Sequence, residues 1–168
     1  SPLSAYIDHT LLRPNATAGD IEKLCSEAID HQLFAVCVNG CWVQHAWNYL
    51  ADSDVTIATV VGFPFGASDS DSKRYETEAA VDNGAHEIDV VMNLGRFIDG
   101  DHRYIVREIR DVIEAADDRD VLVAAALEAG INLRPLDGAI AASFDETTTD
   151  EVLESLLAAL GAGSAGEA

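Results

Sequence analysis

The chain has 168 residues, of which 48% are hydrophobic, and this is enough for one domain with a substantial core. Its formal net charge is −20, from 30 acidic against 10 basic side chains, so neither a nucleic acid nor an anionic membrane surface is an expected partner. The acidic residues are spread along the chain, which leads us to hypothesise a surface adapted to a salty cytoplasm that screens self-repulsion.

The three cysteines, Cys25, Cys37 and Cys41, are an odd number, and no apolar run has the length of a membrane span or the pattern of a signal peptide. Both features indicate free thiols in a reducing cytoplasm. Cys37 and Cys41 have a spacing that could serve a metal, but no second pair accompanies them, so we predict no metal site. No cofactor is predicted either.

Apolar strand-like runs alternate with helix-like stretches over the first 130 residues. The predicted strands are residues 5–9, 34–38, 55–61, 87–92 and 121–127, and the predicted helices are residues 17–31, 42–51, 69–83 and 101–116. The strands are continuously apolar instead of alternating, which favours an α/β fold with a parallel sheet covered by helices.

Local signals support several of these helices. Thr17 is a plausible N-cap with Asp20 three positions later, and Gly84 suits the left-handed position after the third helix. We also expect Trp42 and Trp47 to pack in the core. In the fourth helix one apolar face is shared by Ile105, Ile109, Val112, Ile113 and Ala116.

The pattern changes from about Gly130. Residues 131–136 and 139–144 are predicted as two short extended segments, followed by a helix over residues 150–160. The Gly/Ala/Ser-rich end is predicted to be flexible. The predicted parts of the chain are therefore residues 1–130, 131–160 and 161–168.

Polar residues collect where the predicted strands end: Asp8, Thr10, Cys37, Asn39, Asp89 and Asn93. In parallel α/β folds this carboxyl edge is where ligands bind. Asp89 adjoins Val90 and Val91, and a carboxylate in such apolar surroundings must be paired, hydrogen-bonded or shifted in pKa. It is therefore a candidate proton carrier, and the alternative is an aspartate that only caps a loop.

Five stretches, taken in order, resemble the deoxyribose-phosphate aldolase family. They are IDHTLLRP (7–14), AVCVN (35–39), TVVGFPFGA (59–67), NGAHEIDVVMN (83–93) and VLV (121–123). The resemblance implies a (β/α)8 barrel and a class I aldolase, which cleaves 2-deoxyribose 5-phosphate to glyceraldehyde 3-phosphate and acetaldehyde through a lysine Schiff base. It also implies that Asp89 shuttles protons and that Asp8, Thr10 and Cys37 line the substrate pocket.

The sequence departs from the family in its lysines. The sixth-strand motif that carries the Schiff-base lysine does not occur here, and the position after Val-Leu-Val is Ala124 instead of lysine. Lys23 and Lys73, the two lysines of the sequence, both fall on predicted outer helices. An imine-forming enzyme needs a desolvated amine of lowered pKa, and neither position is a candidate.

The tail has a second resemblance. The stretches AGINLR (129–134) and SFDETTT (143–149) resemble a segment of the pyridoxal-phosphate-dependent glycine decarboxylase P protein. The segment carries no cofactor lysine, so no decarboxylase activity is implied. We expect a chimeric chain with a junction near residues 126–132.

A closed barrel of this type needs eight strands and about 250 residues, so the predicted sheet is a truncated, open barrel. Its exposed strands could be covered by the tail, by a second copy or by a second polypeptide, and we favour self-association into a homo-oligomer. Two hypotheses follow. The first is an aldolase acting on a small sugar phosphate or aldehyde, with its missing groups supplied by assembly. The second is a non-catalytic, self-associating α/β module with at most weak sugar-phosphate affinity, and the missing lysines favour it.

Overall fold

The computed structural model describes residues 3–117 and the backbone of three later strands. The strands are β1 (Asp8–Leu11), β2 (Ala35–Val38), β3 (Thr56–Val61), β4 (Glu87–Val91), β5 (Leu122–Leu127), β6 (Ile131–Leu136) and β7 (Ala139–Ser143). The helices are α1 (Ala18–Asp30), α2 (Val43–Tyr49), α3 (Ser70–Asp82), α4 (Leu94–Ile98) and α5 (His102–Asp117), with short 3-10 turns at Leu3–Tyr6 and Gly40–Trp42.

The seven strands form one sheet in chain order, and β1 to β5 run parallel. Strands β6 and β7 then continue the sheet as an antiparallel hairpin. Helices connect the parallel strands, which is the repeating unit of a (β/α)8 barrel. The predicted α/β class, a partial barrel of about five parallel strands, is therefore confirmed, as are the two extended segments of the tail.

The sheet separates two faces. The outer face packs against the helices and forms the main core, to which β3 and β4 contribute Ile57, Val61, Ile88 and Val90. The inner face carries a smaller buried cluster of Cys37, Ala58 and Val60, with Leu12 packed against it. Because successive side chains of a strand point to opposite faces, this division fixes which residues are able to reach the inner side.

Helices α1 and α3 begin and end where their local sequence predicts. Thr17 and Asp20 form a reciprocal capping box, since each backbone N–H bonds the other residue's side chain. Helix α3 ends in a Schellman motif: Gly84 N–H donates to Val81 O and Ala85 N–H to Ala80 O, with Gly84 at φ +101°.

Four expectations need correction. Strand β1 begins at Asp8 instead of residue 5, because Leu3–Tyr6 form a 3-10 turn. The Ser4 carbonyl of this turn accepts from the N–H of Phe34, just before β2. Helix α4 was missed, because it is a single turn that Asn93 caps through its side chain. Trp47 is 47% exposed and Ile113 is 38% exposed, so neither is a core residue.

The predicted helix at residues 150–160 and the flexible end at 161–168 lie outside the described residues. The division into residues 1–130, 131–160 and 161–168 stays a prediction, as does the resemblance of the tail to the P protein. Within the described part of the chain, no helix is both long and apolar enough to span a bilayer.

Candidate active site

The four residues predicted for the site share the inner face of the sheet. Asp8 and Thr10 of β1 lie in register with Ala35 and Cys37 of β2, so they point to the same side as the Cys37 thiol. Asp89 of β4 lies in register with Val60, whose side chain belongs to the inner cluster. The parallel sheet therefore brings the predicted residues together from three strands.

Asp89 and Cys37 make direct contact across an intervening strand. The Cys37 thiol donates to Asp89 Oδ2 at an S···O distance of 3.8 Å, although β3 lies between β2 and β4. The β3 residue in register with Cys37 is Ala58, and its small side chain leaves room for this approach. Asp89 is half-buried and hydrogen-bonded, which fits the expectation that a carboxylate here must be paired.

The Cys37 thiol is not an activated nucleophile. Burial, reinforced by the negative charges of Asp89, Asp8 and Glu87, raises the pKa of Cys37 far above its ordinary value. A thiolate is the reactive form of cysteine, so this environment makes Cys37 a hydrogen-bond donor to Asp89. With 4% exposure, Cys37 is a buried thiol of β2.

The connection from β3 to α3 forms a closed loop at the carboxyl edge. Gly66 N–H donates to Gly62 O, and Gly62 N–H donates to Glu76 Oε2 at 2.9 Å. The Phe63–Pro64 peptide bond in this loop is cis. A Cβ at Gly66 would lie 2.0 Å from Met92 O, so only glycine allows the loop to touch the end of β4 so closely.

The two lysines of the sequence have opposite environments. The Lys23 side chain is 75% exposed on α1. Lys73 lies on an outer helix, as predicted, but it faces the sheet and is fully buried. Its Nζ donates to Glu108 Oε1, Val91 O and Gly66 O at 2.8, 2.8 and 2.9 Å.

Sequence reasoning did not anticipate the burial of Lys73 or of Glu108, which is also fully buried. A signal was available for the lysine. Lys73, Thr77, Ala80 and Val81 recur at the spacing of one helical face, and all four are buried. A charged residue within such a stripe calls for a buried partner of opposite charge.

In the part of the chain that the structure describes, no group of three or more His, Cys, Asp or Glu side chains is arranged to hold a metal ion. Cys37 is buried on β2 and Cys41 is exposed in the following turn, so they differ in environment as well as in element. His9 Nε2 contacts Glu27 Oε2 at 2.8 Å.

A separate groove lies on the outer side of the molecule between α3 and α5, with a volume of about 410 Å³. Its lining includes Arg74, Glu78, Asp82, Asp111 and Glu114. The predicted site residues are all on the opposite face of the sheet. The groove is therefore distinct from the Asp89 site.

Comparison with known proteins points in one direction. Residues 3–132 match the model of the family described as "DeoC/LacD family aldolase". The chain is 49% identical over 121 residues to a deoxyribose-phosphate aldolase of Clostridium botulinum and 44% identical over 127 residues to one of Thermoanaerobacter pseudethanolicus. It covers 57% of the length of each, so it spans little more than half of these relatives.

Solved structures are similar as well. A putative deoxyribose-phosphate aldolase from Coccidioides immitis superimposes with a TM-score of 0.79 at 28% identity, covering 94% of this chain and 55% of that one. A deoxyribose phosphate aldolase from Aeropyrum pernix, described as tetrameric, gives a TM-score of 0.76 at 26% identity, covering 95% and 61%.

Proposed function

Because the chain belongs to the DeoC/LacD family of aldolases, we propose that it carries the half of a class I aldolase site contributed by strands β1 to β5. The substrate class is 2-deoxyribose 5-phosphate or a related small sugar phosphate or aldehyde. We further propose that this single chain does not turn the substrate over.

The observation that carries this proposal is the state of the two lysines. A Schiff base requires an uncharged amine that reaches the substrate. Lys23 is solvated on a helix, and the three acceptors around Lys73 Nζ engage all three N–H groups of an ammonium ion. Burial lowers the pKa of Lys73 while Glu108 opposes that change, and the fully buried Nζ leaves no room for a carbonyl.

Within this half-site, the inner-face residues have roles that follow from their contacts. In this proposal Asp89 accepts and returns a proton, and the hydrogen bond from the Cys37 thiol to Asp89 Oδ2 orients the carboxylate for that role. Thr10 donates from Oγ1 to Asp8 O at 3.1 Å, a contact within β1 that orients the hydroxyl. These residues would bind and orient a small polar ligand without forming a covalent bond to it.

A second candidate function is a self-associating module with weak sugar-phosphate affinity. Among the described strands β1 pairs only with β2, so it is an edge strand of the described sheet. The apolar side chains of Leu3 and Ile7, just before β1, are exposed. A second copy covering this edge would give a homo-oligomer. Separately, the three free cysteines support our prediction of a reducing, cytoplasmic location.

One set of measurements tests both candidates. Acetaldehyde release from 2-deoxyribose 5-phosphate is assayed without reductant, a parallel sample with the sugar phosphate is treated with sodium borohydride to trap an adduct, and the mass of the purified chain is measured by sedimentation. We expect no turnover, no reduced adduct on Lys73, and a mass above that of a monomer at micromolar concentration. The Clostridium botulinum aldolase serves as the positive control. Turnover or an adduct on Lys73 would refute the inactive half-site, and a folded monomer would refute self-association.

A further inference from the structure

The pair formed by Lys73 and Glu108 is the most unusual feature of the molecule outside the Asp89 site. Both side chains are completely buried between α3, α5 and the sheet, 2.8 Å apart. A buried ion pair is weak evidence for stability, because apolar side chains of similar volume often replace one at no cost. Its contacts therefore call for another explanation.

The pair bonds to backbone groups at the carboxyl edge. Beyond each other, Lys73 binds the carbonyls of Gly66 and Val91, and Glu108 Oε2 accepts from Asn93 N–H at 3.0 Å. Gly66 closes the β3–α3 loop, Val91 ends β4, and Asn93 caps α4. The buried pair therefore contacts the β3–α3 loop, the end of β4 and the start of α4 at the carboxyl edge.

This arrangement bears directly on Asp89, which lies two residues before Val91 on β4. The loop of Gly62–Gly66 rests against the Met92 carbonyl, so its position and that of the end of β4 are coupled. An apolar pair at positions 73 and 108 could fill the same volume. It would remove one hydrogen bond from each of two carbonyls and one N–H at and beside the end of the strand that carries Asp89.

We propose that Lys73 and Glu108 are positioning residues for the Asp89 site: the pair holds the β3–α3 loop and the end of β4 in the geometry that sets Asp89 against Cys37. The proposal rests on the proposed function only for the chemical role of the Asp89 site. The positioning itself is a property of this chain and is measurable without substrate.

The test compares two charge-neutral double variants with the parent chain. Lys73→Met/Glu108→Leu removes every bond of the pair. Lys73→Met/Glu108→Gln keeps a side-chain oxygen able to accept from Asn93 N–H, while Gly66 O and Val91 O still lose their donor. Because each variant removes one positive and one negative charge, a change at Asp89 cannot be ascribed to a change in net charge.

Two readouts report on the site. Amide exchange is measured at Gly62, Gly66 and Asn93, and iodoacetamide alkylation of each cysteine is followed by peptide mass spectrometry between pH 7 and 10. Cys25 is the internal control, because it is buried in α1 in the main core, and burial raises its pKa to about 11. Asp89→Asn is the positive control, since it removes a charge that raises the pKa of Cys37.

We expect exchange at Gly62 and Gly66 to accelerate about tenfold or more in both variants, and exchange at Asn93 to do so only with leucine at position 108. Alkylation of Cys37 relative to Cys25 should rise about threefold or more across the pH range, as it does in Asp89→Asn, because Asp89 no longer faces the thiol.

Unchanged exchange at the loop together with an unchanged ratio of Cys37 to Cys25 alkylation would overturn the proposal. Equal acceleration of both cysteines would also overturn it, because that result describes general loosening of the core. If the leucine variant does not fold, the glutamine variant decides the question by the same readouts. Failure to bind 2-deoxyribose 5-phosphate would count against the proposed function alone.

Discussion

At the scale of single residues, His86 shows how one side chain links sheet geometry to pH. The backbone N–H of Ile57 donates to His86 Nδ1 at 3.0 Å, and the backbone N–H of His86 donates to Ile57 O at 2.8 Å. His86 therefore binds both backbone groups of Ile57, near the start of β3. Nδ1 is able to accept only when it carries no proton. Burial, opposed by Glu87, lowers the pKa of His86 below its ordinary value of 6.5.

This lowered pKa predicts a stability loss in mild acid. The unfolded chain binds the proton more readily than the folded one, so the contribution of His86 is complete above about pH 6.5 and is lost as the pH falls below it. We expect a loss of about 1 kcal/mol or less between pH 7.5 and 5.5, the usual worth of one hydrogen bond. Urea unfolding at several pH values measures it.

The matched control is His86→Asn, whose side-chain oxygen is able to accept from Ile57 N–H without titrating in this range. The difference in unfolding free energy between parent and variant should grow steadily towards acid pH. Parallel pH profiles for the two proteins would show that His86 does not carry the effect.

At the scale of elements, the end of α3 depends on a backbone conformation at position 84 that favours glycine. Gly84 has a φ of +101°, and a Cβ there would lie 2.8 Å from the ring of Trp47. We predict that Gly84→Ala lowers the unfolding free energy by about 1–3 kcal/mol, through backbone strain and through displacement of the indole. Thermal and urea unfolding are the measurements.

Gly19→Ala is the control for that substitution. Gly19 lies in the first turn of α1, and nothing stands within 4 Å of a Cβ built there. Alanine should therefore be neutral or stabilise the protein by up to about 1 kcal/mol. Equal effects of the two substitutions would contradict the strain argument.

The elements also show where sequence reasoning succeeds and where it stops. Continuous apolar strands, the cap at Thr17 and the glycine after α3 are local signals, and they predicted their elements correctly apart from the bounds of β1. The contact between Cys37 and Asp89 depends on register across three strands and on the small Ala58 between them, which no local pattern encodes. The helical spacing of buried residues could have indicated that Lys73 is buried, but its partner Glu108 lies 35 positions away on another helix, so the pairing was out of reach.

At the scale of the whole molecule, charge sets the conditions for folding. The sequence carries 30 acidic and 10 basic side chains, so most carboxylates have no cation available to them within the chain. Folding brings these like charges closer together than they are in an extended chain, and the repulsion opposes compaction. Salt shortens the range of that repulsion to about 3 Å at 1 M, compared with about 30 Å at 0.01 M.

We therefore predict that the chain is partly or wholly unfolded in dilute buffer and folds as KCl is raised towards molar concentration. Far-ultraviolet circular dichroism and thermal unfolding across a KCl series measure the effect, and dialysis back to low salt tests its reversibility. Sucrose at matched osmolality is the control, because it favours compact states by exclusion without screening charge. Full stability in dilute buffer, or an equal gain in sucrose, would show that charge repulsion does not govern folding, and the acidic surface would then require another explanation.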